Sequence, residues 1–191
     1  MRKILIFVAI MTFVSMGAFA QTEKGKFIFS GASELSFSSM TSQMEYDGKD
    51  IGDDHKVTSF NIKPAVGYFV MDNLSLGLNF DYESEKYEND KNKTFMVGPM
   101  ARYYFGSSKF KPYVHADLMF GSMKNEGENY EINYNASAWD LGAGVAIFLN
   151  DYISIDLGLG YASFTAVNDD DDKAKLKTKG VAFNGGFSVF F

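Results

Sequence analysis

The chain has 191 residues and a formal net charge of −6, with no cysteine, 18 glycines, 3 prolines and 16% aromatic residues. Without cysteine there is neither a disulfide framework nor a thiolate metal site, and the acidic balance argues against nucleic acid, which needs a basic stripe. So many aromatics and glycines beside so few prolines point to a chain of strands.

The first residues read as a secretion signal. Arg2 and Lys3 precede an apolar run from Ile4 to Val14, and Met16-Gly17-Ala18-Phe19-Ala20 ends in an A-x-A site. The run is short for a spanning helix. Residues 1–20 are therefore expected to be a cleaved signal peptide, and residues 21–191 a single domain beginning at Gln21. Loss of Arg2 and Lys3 takes the net charge to −8.

Beyond that point the pattern has period two, with bulky apolar residues alternating with small or polar ones. This marks strands with two unlike faces. Eight segments follow in order: Lys26–Met40, Lys56–Val70, Leu74–Tyr87, Lys93–Gly106, Lys111–Lys124, Asn135–Leu149, Tyr152–Ala166 and Lys175–Phe191. Their connections alternate in length. Met71-Asp72-Asn73, Ser107–Phe110 and Asn150-Asp151 are tight. Thr41–His55, Asn125–Tyr134 and Val167–Ala174 are longer and polar, and Glu88–Asn92 is intermediate. Pro64, Pro99 and Pro112 fall inside predicted strands. Each removes a ladder donor, so a local bulge is expected at each. Phe69–Leu78 is echoed at Phe148–Leu157, an offset of 79 residues. Two four-stranded halves would set these hairpins across the molecule from one another.

The last segment decides which face meets water. Val181, Phe183, Phe187, Val189 and Phe191 share one face with Gly185, while Gly180, Ala182, Asn184, Gly186 and Ser188 share the other with Phe190. A face of glycine, alanine and serine is too small for a solvated strand surface. It suits the cramped lumen of a narrow barrel, with the bulky face turned to lipid. The outward phase of the eight segments carries Phe37, Phe60, Tyr82, Phe95, Phe120, Trp139, Tyr161 and Phe183 toward the long loops. Toward the turns it carries Phe27, Val70, Leu74, Phe105, Pro112, Leu149, Ile153 and Phe191. The spacing matches the 9–11 residues a membrane strand needs. The predicted fold is all-β, an eight-stranded antiparallel transmembrane β-barrel with short periplasmic turns, longer outer loops and both termini periplasmic.

Phe110-Lys111-Pro112-Tyr113-Val114-His115-Ala116-Asp117 resembles the "kPYvgaG" strand of small outer-membrane β-barrel proteins. Trp139–Tyr161 and the closing Gly185-Gly186-Phe187-Ser188-Val189-Phe190-Phe191 resemble the same OmpA/OmpX-like group, in its Bacteroidota form. The resemblance spans nearly all of residues 21–191. It implies eight antiparallel strands in the bacterial outer membrane. It also implies that the terminal strand, with Phe187, Val189 and Phe191, is the signal read by the barrel-assembly machinery. His115 and Asp117 stand where the pattern has glycines.

Inward parity predicts an interior polar network of Glu34, Lys63, Asp81, Arg102, His115, Asp117, Asp140 and Asp156, with Asn61, Asn79, Glu83 and Asn184 beside them. Lys63 and Arg102 are the two fixed cations of this reading, and buried charge of this kind must be paired or hydrated. Phe69, Tyr104, Phe148 and Phe190 fall at inward phase near the turns, where four rings would block the mouth of an eight-stranded barrel. Lys56, Lys86, Lys93, Lys124, Lys177 and Lys179 lie at outward phase just beyond the aromatic girdle. Such lysines can snorkel to lipid phosphate level, so outer-membrane lipids and lipopolysaccharide are the expected partners. The acidic residues Asp47, Asp50, Asp53 and Asp54 and the run Asp169–Asp172 lack EF-hand spacing. No metal, cofactor or catalytic site is assigned.

Three functional classes remain. The leading one is a non-enzymatic structural barrel with a largely closed lumen. The second is a surface adhesion or binding module using the loops and protruding strand ends, its ligand unknown. The third is a lipid-modifying enzyme, which would need either His55 with Asp53, Asp54 and Ser59, a set without a recognised motif, or His115, for which pairing with Asp117 or another interior acid is the simpler account.

Overall fold

The protein is described here from a computed structural model covering residues 22–35, 39–46, 49–57, 60–87, 90–127 and 130–191, with side chains described outside residues 32–61 and 85–91. Among the described residues there are ten antiparallel strands: β1 Phe27–Leu35, β2 Ser39–Tyr46, β3 Lys49–Val57, β4 Phe60–Met71, β5 Leu74–Tyr87, β6 Asp90–Tyr104, β7 Phe110–Gly127, β8 Tyr130–Phe148, β9 Ile153–Asn168 and β10 Lys175–Phe190. Eight of these, β1 and β4 to β10, close a ring in chain order when β1 pairs with β10. The other two continue the first two staves upward. Residues 186–190 of β10 pair with Ile28–Ala32 of β1, and residues 175–181 pair with Ser39–Glu45 of β2.

Three connections differ from expectation, one of them Glu88–Asn92, whose Asp90, Lys91 and Asn92 pair with Tyr87, Lys86 and Glu85. Thr41–His55 is a paired hairpin, β2 against β3, rather than an open loop. Likewise β7 and β8 stay paired through Gly127↔Tyr130, so Asn125–Tyr134 is the top of a ladder. The reason is physical. Above the membrane both faces of a strand meet water, so period-two contrast vanishes while the backbone ladder goes on unchanged. Loss of alternation marks the lipid boundary, not the strand end. At 18 and 19 residues, β7 and β8 exceed a bilayer strand by about 8 residues and project beyond it.

The expected proline bulges are absent. Pro64 pairs with Gly31, Pro99 with Leu78 and Pro112 with Val145, all in constant register. The ladder instead skips pairs on one side of Pro64 and of Pro99 and resumes in the same register. A missing N–H costs a rung without requiring an extra residue. Register shifts occur elsewhere among the described residues, between Ser42 and Met44 and between Phe69 and Met71. The repeated hairpins fare as expected. β4–β5 and β8–β9 lie four staves apart in the eight-stave ring, and so opposite one another.

The bulky face is outside. Tyr82, Phe95, Phe120, Trp139, Tyr161 and Phe183 are all exposed, as are Phe27, Val70, Phe105, Leu149 and Phe191 at the turn end. Phe37 and the Phe60 side chain lie outside the described residues. A protein in water does not leave a continuous belt of that size uncovered; hydrocarbon is the solvent that accepts it. The turns are tight by local chemistry. Asn73 adopts a φ of 66° in the β4–β5 turn, which asparagine tolerates. Asn150 Oδ1 accepts the N–H groups of Tyr152 and Ile153 in the β8–β9 turn.

Candidate functional site

Inside the ring the side chains form layers. The turn end is filled by Phe69, Tyr104, Phe148 and Phe190, each no more than 1% exposed, packed with Ile28 and Tyr113. Phe190 is the hub, with ring centroids 4.9 Å from Phe148 and 6.2 Å from both Phe69 and Tyr104. The four rings predicted at this end do meet. Beneath them the buried Lys111 ammonium donates to Thr22 Oγ1 at 2.8 Å, and Thr22 donates to Asn73 Oδ1 at 2.6 Å. Lys111 is a third inward cation, so Lys63 and Arg102 are not the only two. Its inward parity, shared with Tyr113 and His115, was the signal available in the sequence.

The middle layer is polar. Arg102 Nη1 donates to Asp156 Oδ2 at 3.1 Å, and the guanidinium lies 4.6 Å from the Tyr113 ring centroid. Ser154 and Ser188 each donate to Asp156 at 2.6 Å, and Ser30 bonds to Ser188 at 2.8 Å. Lys63 Nζ lies 3.6 Å from Asp81. Asn79 donates to Asp117 at 2.8 Å, and His115 Nε2 meets Asp140 at 2.5 Å. The serines and the Tyr113 face that hold these charges were missed in the sequence reading. Small residues at inward phase were the visible sign. Glu34 belongs to the predicted network, but its side chain lies outside the described residues.

Glycines on the facing strands make the room. A Cβ at Gly142 would lie 2.7 Å from the His115 ring, and one at Gly160 2.8 Å from an Asp140 oxygen. Those positions must be bare for the polar side chains to enter. Above them Met96, Met119 and Ala136 are buried, with Ala138 and Phe164 against them, forming an apolar layer over the charged one.

The loop-end rim carries charge outside the barrel. Lys93 and Lys124 face each other across β6 and β7, and Glu126 and Glu131 across β7 and β8. Lys93 reaches Glu126 at 3.2 Å, and Lys124 reaches Glu126 and Glu131 at 3.0 Å each. Hydrogen bonds to Glu131 and Glu126 hold the Lys124 ammonium above its ordinary pKa. Bonds from Lys124, then Lys93, hold Glu126 below the usual carboxylate value, and bonds from Lys124, then Asn133, do so for Glu131. Lys177 and Lys179 are exposed on β10. The side chains of Lys56 and Lys86, like those of His55 and Ser59, lie outside the described residues. In the acidic run, Asn168 Oδ1 accepts from the Asp170 and Asp171 N–H groups, and Asn135 donates to Asp169 at 2.6 Å. The outward Phe187 on β10 and Phe191 just past its end are exposed, and Val189 is half-buried.

Residues 6–191 match the family described as outer membrane protein beta-barrel domain. The chain is 26% identical over 140 residues to outer membrane porin F of Pseudomonas fluorescens, covering 69% of this chain and 43% of that protein. It thus spans less than half the length of that relative. Among solved structures it resembles Neisserial surface protein A, with a TM-score of 0.55 at 15% identity over 87% of this chain and 97% of that one. The N-terminal β-barrel domain of Pseudomonas aeruginosa OprF gives a TM-score of 0.55 at 14% identity over 88% and 98%. These likenesses are of fold.

Proposed function

The chain belongs to the outer membrane protein beta-barrel domain family, and on that premise we propose that it is a non-enzymatic structural barrel of the bacterial outer membrane with a largely closed lumen. The carrying observation is the aromatic layer, in which Phe69, Tyr104, Phe148 and Phe190 are all buried across the turn end. An eight-stave barrel has room only for side chains, and here rings, charges and an apolar cover occupy it in turn. The protein enters the outer membrane after loss of residues 1–20. Its termini face the periplasm, consistent with Phe27 and Phe191 pairing at the turn end. The barrel-assembly machinery reads the strand bearing Phe187, Val189 and Phe191. Lys177 and Lys179, with the rest of the lysine rim, meet lipid and lipopolysaccharide phosphates at the outer leaflet.

Planar-bilayer recording tests the closed lumen. The purified protein is expected to show no stable large conductance, and Phe69→Ala with Phe148→Ala is expected to raise channel activity. Each truncation costs about 3–5 kcal/mol, so the folded fraction is checked by gel mobility. A stable large conductance from the unaltered protein would overturn the proposal.

A second reading, a surface binding module, is favoured by one feature. Among the described residues β3 pairs only with β2, leaving its other edge open to strand addition. Unchanged adhesion of cells lacking the protein would count against it.

A further inference from the structure

We propose that His115, Asp117 and Asp140 form a divalent transition-metal site in the middle layer of the lumen, with Zn²⁺ the ion best matched by its donors. One imidazole nitrogen and a carboxylate oxygen from each aspartate lie within 4.8 Å of one another. Zinc sits about 2.0–2.2 Å from such donors, which places tetrahedral ligands about 3.4 Å apart. Closing the set means drawing donors that lie within 4.8 Å of one another to about 3.4 Å, with Asp140 leaving His115 Nε2.

Three features of the surroundings call for a cation here. Asp117 and Asp140 are direct cross-strand partners on β7 and β8, both turned inward, and like charges so placed repel unless something lies between them. The fixed cations of the layer are engaged elsewhere, Arg102 with Asp156 and Lys63 with Asp81, while Asp117 takes its hydrogen bond from the neutral amide of Asn79. The His115 side chain is only 7% exposed, yet its buried Nδ1 has no partner among the described residues. With one nitrogen against Asp140, the neutral ring keeps a lone pair on the other. Asp140 gives up this hydrogen bond to bind the ion, because a carboxylate held on Nε2 cannot share a metal with Nδ1 on the far side of the ring.

Donor type selects the ion. Ca²⁺ and Mg²⁺ prefer all-oxygen shells, whereas an imidazole with carboxylates suits Zn²⁺ and its neighbours in the first transition row. Gly142 and Gly160 leave the space the site needs, since a Cβ at either would press on His115 or Asp140.

The test uses the full barrel refolded in detergent with Co²⁺ alone, then with Zn²⁺ as competitor, so that entry past Met96 and Met119 does not limit loading. The expected result is one Co²⁺ per chain with a visible d–d absorption band, displaced by Zn²⁺. His115→Gln should weaken binding at least about tenfold. Asp117→Asn, which keeps the shape and the contact to Asn79, should weaken it similarly if His115→Gln folds poorly. His55→Gln, at the chain's only other histidine, should leave binding unchanged. No absorption band in the unaltered folded protein, binding that survives both lumen substitutions, or binding lost with His55→Gln would each overturn the site.

Discussion

Arg102 shows how one side chain organises the lumen. Its guanidinium is anchored to Asp156, a carboxylate that also accepts from Ser154 and Ser188, and its face rests on Tyr113. Removing one partner of a buried ion pair leaves the other charge unmatched, which costs far more than the pair contributes. Arg102→Met is therefore expected to destabilise the barrel by about 3–5 kcal/mol, measured by urea unfolding from lipid vesicles. Arg102→Lys should recover part of the loss, since a point charge lacks the fork and the stacking plane. A loss below about 1 kcal/mol for Arg102→Met would refute the pairing, as solvated pairs are worth no more. Parity announced that Arg102 points inward. Its partner lies 54 residues away, and no local pattern reaches that far.

The β7–β8 hairpin poses the matching question for an element. Its upper end has water on both faces and is held by the backbone ladder together with the Lys93, Lys124, Glu126 and Glu131 cluster. Glu126 and Glu131 have lowered pKa values in the fold, so their contribution is full above the ordinary carboxyl value of 4.5 and is lost as pH falls through the lowered ones. Lys124 is raised, so its share is full below 10.5 and is lost as pH rises through the raised value. Amide protection factors around residues 124–131 should fall between pH 7 and pH 3 (values chosen to bracket the carboxyl titration), while those around Leu141 hold. Glu126→Gln should remove most of that difference, and high salt should shrink it. Equal loss at Leu141 would point to global unfolding instead. This cluster escaped sequence reading because lysines and glutamates in a polar stretch look like any solvated loop. Only the register sets Lys93 opposite Lys124 and Glu126 opposite Glu131.

For the whole molecule the controlling fact is closure. At membrane level each of the eight staves has a partner on both sides, so no open sheet edge faces lipid. A closed ladder of this kind opens cooperatively or not at all. The folded protein should therefore migrate faster than the boiled protein in detergent gels, and its unboiled form should resist protease except near the loop end. A single boiling-insensitive band with an unfolded spectrum would exclude the ring. Asp140→Leu should leave that gel shift intact while abolishing the Co²⁺ band, which separates the metal site from the fold.

By itself the sequence determined the strand phases, the lipid-facing belt, the inward placement of the charged residues and the four rings at the turn end. All of these follow from period two, because a strand's side chains alternate whatever its neighbours are. Tertiary structure alone decided where the strands end above the bilayer, how the three prolines fit without bulges, and which inward groups meet: Arg102 with Asp156, His115 with Asp140, Lys111 with Thr22. Those outcomes depend on register between strands far apart in the chain, and register is set by ring closure, which no single strand encodes.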